Sequence, residues 1–209
     1  MFTLFFSVRN PYFQSMEIRR LCVFCSSSDL LPERFRAETR ALGERMAERG
    51  MELVYGGGSV GLMGVLADAV LAGGGKVTGV IPDFLSTKEL AHFGLTKMIV
   101  TRSMHERKQE MSRLADAFAI LPGGFGTLDE FFEILTWKQL GLHSRPIVVA
   151  NSGRWFDPLM EYCRRAVESG TVTQGNAELF TVVKSAPDIV DCLARKRSAA
   201  TAAKRLYRT

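Results

Sequence analysis

Two glycine runs and one pair of cations have the clearest capacity for chemistry in this chain. The first run is Gly56-Gly57-Gly58-Ser59-Val60-Gly61, with Gly64 three residues further on. Glycine lets a backbone turn tightly and approach a ligand unobstructed. A helix starting there would aim free N–H groups and the positive end of its dipole at a phosphate. Gly56, Gly58 and Gly61 also satisfy the dinucleotide pattern G-x-G-x-x-G, with Asp83 about where a ribose-binding acid falls. The same pattern serves a tight turn and close helix–sheet packing. The second run, Gly123-Gly124-Phe125-Gly126, leads into Thr127-Leu128-Asp129-Glu130. Thr127 and Glu130 have capping-box spacing. The apolar stripe Leu128, Phe131, Phe132 and Leu135 puts Glu130 on the other side of its helix. Two such loops in one small protein suit a nucleotide, whose phosphate and ribose must be held together. On this reading Gly56, Gly57, Gly58, Ser59, Gly61 and Gly123 form the phosphate loop.

The cations are Arg107 and Lys108. Ser103-x-x-Glu106 is a capping box that starts a helix at Ser103. On its wheel Met104, Met111 and Ala115 form the buried stripe, while His105, Glu106, Gln109, Glu110 and Arg113 face solvent. Arg107 and Lys108 flank the stripe near the positive end of the dipole, where cations are disfavoured. An anion resolves the conflict: either a carboxylate such as Glu130, or a ligand phosphate that arginine grips bidentately. The alternative is packed aliphatic stems with the charged heads in water.

The elements that must position these residues alternate along the chain. Short apolar runs of strand type occur at 18–25, 52–55, 76–81, 95–100, 117–121 and 146–150. Amphipathic segments of helical length fill about 32–49, 61–73, 103–115, 127–138 and 155–168, with a last helix at about 186–196. This alternation predicts a single α/β domain: a Rossmann-like, doubly wound parallel sheet. Ligands of such sheets bind at the carboxyl ends of the strands, where both glycine runs begin. The expected domain spans 16–194, between a flexible N-terminal extension, 1–15, and a basic tail, 195–209.

Composition excludes several classes. The 209 residues are 46% hydrophobic and 23% charged, which rules out a disordered chain. The net charge of +5 is concentrated in the tail, which holds six of the basic residues and no acid. Residues 16–194 contain 20 basic and 22 acidic residues, so no nucleic-acid surface is expected of the domain. The longest uncharged stretch, Leu53–Ala67, is too short and glycine-rich for a membrane span. Met1–Val8 lacks the flanks of a signal peptide, and Met16 is an alternative start. Cys22 and Cys25 lie three apart on a strand, on opposite faces. They are expected to be buried reduced thiols in a cytoplasmic protein, not a zinc or redox pair. His92, His105 and His143 make no H-E-x-x-H pattern, and no metal or cofactor is expected.

The run Met104-His105-Glu106-Arg107-Lys108, followed by Pro122–Glu130, resembles the LOG ("lonely guy") family. These are cytokinin riboside 5′-monophosphate phosphoribohydrolases, often mislabelled as lysine decarboxylases. Further matching segments are Cys22–Cys25, Val54–Gly64, Gly79–Pro82 and Thr136–Gly141, so the resemblance covers roughly 18–190 in order and spacing. Ser26, Lys88, Ser103 and Asp129 depart from the family's usual residues. The resemblance implies a homodimer that needs no cofactor. It would hydrolyse the N-glycosidic bond of an adenine-type nucleoside 5′-monophosphate to the base and ribose 5-phosphate. It implies Arg107 and Glu130 as the catalytic pair, with Lys108 and the loop Gly124, Phe125, Gly126, Thr127, Leu128 and Asp129 binding substrate. Glu89, Met104 and Thr136 resemble further substrate contacts.

Breaking a glycosidic bond develops positive charge on the ribose, which a carboxylate can stabilise while activating water. Glu130 is the expected carboxylate, kept ionised by its helix N-terminus and Arg107. Two other readings use the same residues. One is a nucleotide sensor without turnover. The other is an NAD(P)-dependent oxidoreductase resting on Gly56–Gly61 and Asp83, which leaves Arg107 and Lys108 without a role.

Overall fold

The computed structural model describes residues 18–87 and 90–195. The extension 1–15, Glu89 and the tail beyond Arg195 lie outside the described residues. Seven strands are described: β1 (Arg20–Phe24), β2 (Glu52–Tyr55), β3 (Val77–Pro82), β4 (Lys97–Thr101), β5 (Ala117–Ile120), β6 (Ile147–Ala150) and β7 (Thr181–Val183). They form one sheet in the order β4-β3-β2-β1-β5-β6-β7, with every neighbouring pair parallel. Six lie within two residues of their expected positions. The seventh, β7, has three residues at the sheet edge, too few for a readable period.

Helices cover both faces. α1 (Glu33–Glu48), α2 (Gly61–Ala72) and a final helical stretch, 188–195, lie on one side. There Phe35, Leu42, Leu66, Val70 and Ile189 meet Leu21, Val23, Leu53 and Ala119 of the sheet. α3 (Met104–Leu114), α4 (Phe125–Gln139) and α5 (Asp157–Glu168) cover the other side, over Phe24, Val54, Phe118 and Val149. A single turn, α6 (Gln174–Ala177), precedes β7. Alternation along β1 is strict: Leu21, Val23 and Cys25 belong to one core, Cys22 and Phe24 to the other. Cys22 and Cys25 are free, buried thiols on opposite faces, as the strand period predicts.

The two helix starts that carry the cations and the carboxylate differ from expectation. At α3, Ser103 Oγ accepts the Glu106 N–H at 3.1 Å, so the cap forms. Glu106 Oε2 accepts from Arg102 N–H at 2.8 Å, one residue before the usual partner. The buried stripe of α3 is Arg107, Met111 and Ser112, and Met104 stays 37% exposed. At α4 the expected capping box is absent. The helix starts two residues early, with Gly124 as N-cap and no side-chain cap. Thr127 packs against Gly123, where any β-carbon would collide with it. The buried face is Thr127, Glu130, Phe131 and Ile134, which turns Glu130 inward instead of away from the core. The α3 partner is what makes this burial tolerable.

Candidate active site

A cavity of about 550 Å³ opens at the carboxyl ends of the central strands. β1 sits between β2 and β5, so the chain winds outward from it in both directions. The crevice at that reversal is where open α/β sheets bind ligands. The end of β1 and the loop after it supply Phe24, Cys25, Ser26, Ser27 and Ser28 to the cavity wall. The β2 end supplies Gly56 and Gly58, and the start of α4 supplies Gly124, Phe125, Gly126, Thr127 and Glu130.

Arg107 reaches the cavity from α3 and is fixed along its guanidinium. Nε donates to Val80 O on β3 at 3.0 Å, and Nη1 donates to Glu130 Oε1 at 2.8 Å. The guanidinium lies against Gly56, where any side chain would strike it. Both partners of the ion pair are buried, Arg107 at 9% exposure and Glu130 at 7%. A buried charge is tolerated only when paired and hydrogen-bonded, and each supplies the other's need. Burial pushes the Glu130 carboxyl up to about 7, against the opposing pull of Arg107. The expectation of a firmly ionised Glu130 is thereby corrected. Desolvation outweighs the pull of Arg107, and the carboxyl is raised toward neutrality.

Lys108 is not part of the cavity lining. Its Nζ lies 3.0 Å from Asp129 Oδ2 and 3.2 Å from Glu133 Oε2. Burial works against its charge, but the two carboxylates prevail and its pKa is raised. Lys108 and Asp129 thus tie α3 to α4 beside the Arg107–Glu130 pair. Met104, Leu128 and Thr136 do not line the cavity either, and Thr136 is exposed on α4 nearly two turns beyond Glu130.

The two glycine runs part company here. At α2, the Gly61 N–H donates to Asp29 Oδ1 at 3.2 Å, and Leu62 and Met63 N–H donate to Ser26 O at 3.0 and 3.3 Å. The Ser59 N–H goes to Leu90 O at 2.9 Å. Gly57, Ser59, Gly61 and Gly123 stay out of the cavity lining. Gly61 has φ +67°, and a β-carbon there would lie 2.6 Å from the Ser27 and Ser28 backbone. Close packing alone thus accounts for Gly61, while Gly56 and Gly58 of the same run line the cavity and Asp83 is exposed and outside the lining. At α4, no acceptor among the described residues meets the N–H groups of Phe125, Gly126 or Thr127. A β-carbon at Gly124 or Gly126 would meet nothing within 4 Å, so the loop leaves room on the β-carbon side of both glycines. Phe125, 93% exposed, stands between them at the cavity mouth.

Sequence reasoning missed part of the wall. Ser27 and Ser28 line it directly, as do the apolar side chains Val60, Met63, Ile81, Leu85 and Leu90. Three serines straight after the first strand were the available signal for the former. Nothing local marks Leu85 and Leu90, which reach the cavity from the β3–β4 connection.

Comparison with known proteins places this chain in a family. The family model described as "possible lysine decarboxylase" matches residues 63–193. The cytokinin riboside 5′-monophosphate phosphoribohydrolase LOG2 of Arabidopsis thaliana is 40% identical over 175 residues, which cover 84% of this chain and 82% of that protein. The cytokinin riboside 5′-monophosphate phosphoribohydrolase of Rhodococcoides fascians is 42% identical over 181 residues, covering 86% and 90%. A probable enzyme of the same name from Oryza sativa subsp. japonica, LOGL9, is 44% identical over 172 residues, covering 82% and 76%. Among solved structures, the molybdenum cofactor carrier protein of Chlamydomonas reinhardtii superposes with a TM-score of 0.66 at 19% identity, over 88% of this chain and 99% of its own. The molybdenum cofactor binding protein of Rippkaea orientalis gives 0.66 at 18%, over 86% and 98%. At those identities the two share the fold alone. By the match of the family model and by identity across most of its length, the chain belongs to the LOG family.

Proposed function

We propose that the protein hydrolyses the N-glycosidic bond of adenine-type nucleoside 5′-monophosphates: cytokinin riboside 5′-monophosphates, AMP, or both. The products are the free base and ribose 5-phosphate. The observation that carries this reading is the buried Arg107–Glu130 pair at the cavity wall, beside the unoccupied N–H groups of α4. Family membership supports the substrate class through the names of the relatives.

In this mechanism the α4 start receives the 5′-phosphate, since free N–H groups and the helix dipole both favour an anion there. Binding the remote phosphate positions the reacting carbon, C1′. The bond from C1′ to the base nitrogen breaks with its electron pair going to the base, and the ribose gains cationic character. Glu130 as carboxylate stabilises that charge and takes a proton from the attacking water, whose oxygen bonds to C1′. The departing base takes up the proton that Glu130 received from water, which returns Glu130 to its carboxylate, so atoms and charge balance without an added cofactor. A carboxyl poised near 7 suits a general base at neutral pH. Arg107 orients Glu130 and holds its charge. Lys108, Asp129 and Glu133 keep the two helices in register, so their contribution to substrate binding is indirect.

The reading includes a homodimer. Met104, Phe125 and Phe132 are exposed apolar side chains on the two helices that carry the pair, and a second copy would cover them. No helix among the described residues is long and apolar enough to cross a membrane.

The test is base release, followed by chromatography, from AMP and from isopentenyladenosine 5′-monophosphate, with Glu130→Gln as the contamination control. Release lost in the variant supports the reading, and the faster substrate identifies the preferred purine. Binding of either nucleotide without release would leave a sensor in its place.

A further inference from the structure

The β3–β4 connection closes one wall of the cavity with Leu90, yet little backbone holds it there. Leu90, Ala91 and His92 run antiparallel to Gly57, Gly58 and Ser59. Ser59 N–H donates to Leu90 O, His92 N–H donates to Gly57 O, both at 2.9 Å, and Gly58 and Ala91 form an isolated bridge. Ser59 Oγ adds a bond to Leu90 O at 3.3 Å. A pairing this short is marginal by itself.

One side chain reinforces it. His92 Nδ1 accepts the Gly94 N–H at 3.1 Å. That N–H can only donate, so Nδ1 is unprotonated and the ring proton sits on Nε2. Nε2 then donates to Asp68 Oδ1 at 2.9 Å. The imidazole is 13% exposed, whereas Asp68 is 72% exposed on α2, the helix that also supplies Met63 to the cavity. Neither His92 nor Asp68 lines the cavity.

We propose that His92 and Asp68 are positioning residues that set nucleotide affinity, by fixing the Leu90 wall to α2 and to the Gly57–Ser59 turn. They act through Leu90 and Ser59 without touching substrate, so they govern binding of the nucleotide and leave the Arg107–Glu130 chemistry alone. This rests on the nucleotide hydrolase reading and adds to it a determinant of affinity outside the cavity.

The experiment compares wild type with Asp68→Ala, Asp68→Asn, His92→Phe and the double variant Asp68→Ala/His92→Phe. AMP is the probe for Kd, and base release gives KM and kcat. Asp68→Ala should raise Kd and KM about three- to tenfold with kcat within about twofold. Asp68→Asn keeps an acceptor oxygen and should restore most of the affinity. The double variant should be no worse than His92→Phe alone, because both remove one interaction. Hydrogen exchange at the Ser59 and His92 amides should quicken in Asp68→Ala, a readout that needs no substrate. An unchanged KM in Asp68→Ala, additive single effects, or unchanged exchange would each overturn the proposal. Wild-type protein that neither binds nor cleaves either nucleotide would instead overturn the functional reading, with the exchange result still deciding whether the tether holds the wall.

Discussion

α2 and α4 both start at a glycine run on the carboxyl edge of the sheet, and their first turns are used differently. At α2 the first N–H groups go to the Asp29 carboxylate and the Ser26 carbonyl, and Gly61 is demanded by the Ser27–Ser28 backbone crossing in front of it. At α4 the first N–H groups meet no acceptor among the described residues, and a β-carbon at Gly124 or Gly126 would touch none of them beyond the chain neighbours. A glycine run at a helix start is thus ambiguous until its N–H groups are traced. Where the chain consumes them, glycine serves close packing. Where they are left over, glycine keeps them open to a ligand.

The largest effect that would sharpen this contrast is at the carboxylate beside α4. Glu130→Gln should lower kcat by about 10²–10⁴-fold, the usual worth of a general base, while AMP Kd moves little. Near-normal turnover would remove Glu130 from the mechanism.

Next come the glycines, where the two helices should respond with opposite sign. Gly126→Ala should raise thermal stability by up to about 1 kcal/mol, since alanine is the better helix former, while weakening AMP binding. Gly61→Ala should do the reverse, losing about 1–3 kcal/mol of stability at a positive φ, and the folded fraction should still bind AMP. Paired melting and binding curves decide it, and affinity lost equally in both variants would break the distinction between the helices.

A third, milder effect is on pH. Free-enzyme kcat/KM should climb about tenfold per unit below pH 7 and flatten above it, as Glu130 loses its proton. The same group tilts stability the other way. Its folded pKa lies above the unfolded carboxyl value, so the native state holds the proton longer and stability falls as pH rises from about 4.5 to 7. Urea midpoints across that window should decline in wild type and stay flatter in Glu130→Gln.

The smallest expected change is at the α2 cap. Asp29 pairs with Arg36 and the Gly61 N–H, which lowers its pKa. Asp29→Ala should depress the melting temperature slightly at pH 7. That difference should vanish as acid protonates the wild-type carboxyl, with AMP affinity unchanged throughout. A marked loss of affinity would mean that the α2 start takes part in binding after all.

Much of this arrangement is legible in the sequence, and the illegible part has a common cause. The strands declare themselves by apolar runs, and Arg107 declares itself as a cation on the wrong side of an amphipathic helix. Glu130 is ambiguous in the sequence, because its spacing from Thr127 also fits a capping box. Only a partner 23 residues away, Arg107, decides that it turns inward. Asp29 at the α2 start, 32 residues from Gly61, is hidden for the same reason. Leu90 joins the cavity wall through a crossing backbone segment that carries no periodic signal. Local pattern reveals an element's face, and long-range pairing reveals which of its groups remain for chemistry.

The strand order also sets a limit on chain length. β4 and β5 are consecutive in sequence but four positions apart in the sheet, a separation of about 19 Å. The eleven residues of α3 span about 16 Å as helix, and only two linking residues at each end complete the crossing, so α3 works as a diagonal strut between the edge strand and the centre. A residue inserted in α3 would rotate everything beyond it by about 100° and push β5 out of register. Insertions in the exposed connection between α4 and β6 would leave that span untouched. Length variation in this protein should therefore be tolerated around residues 140–144 and forbidden between 103 and 116.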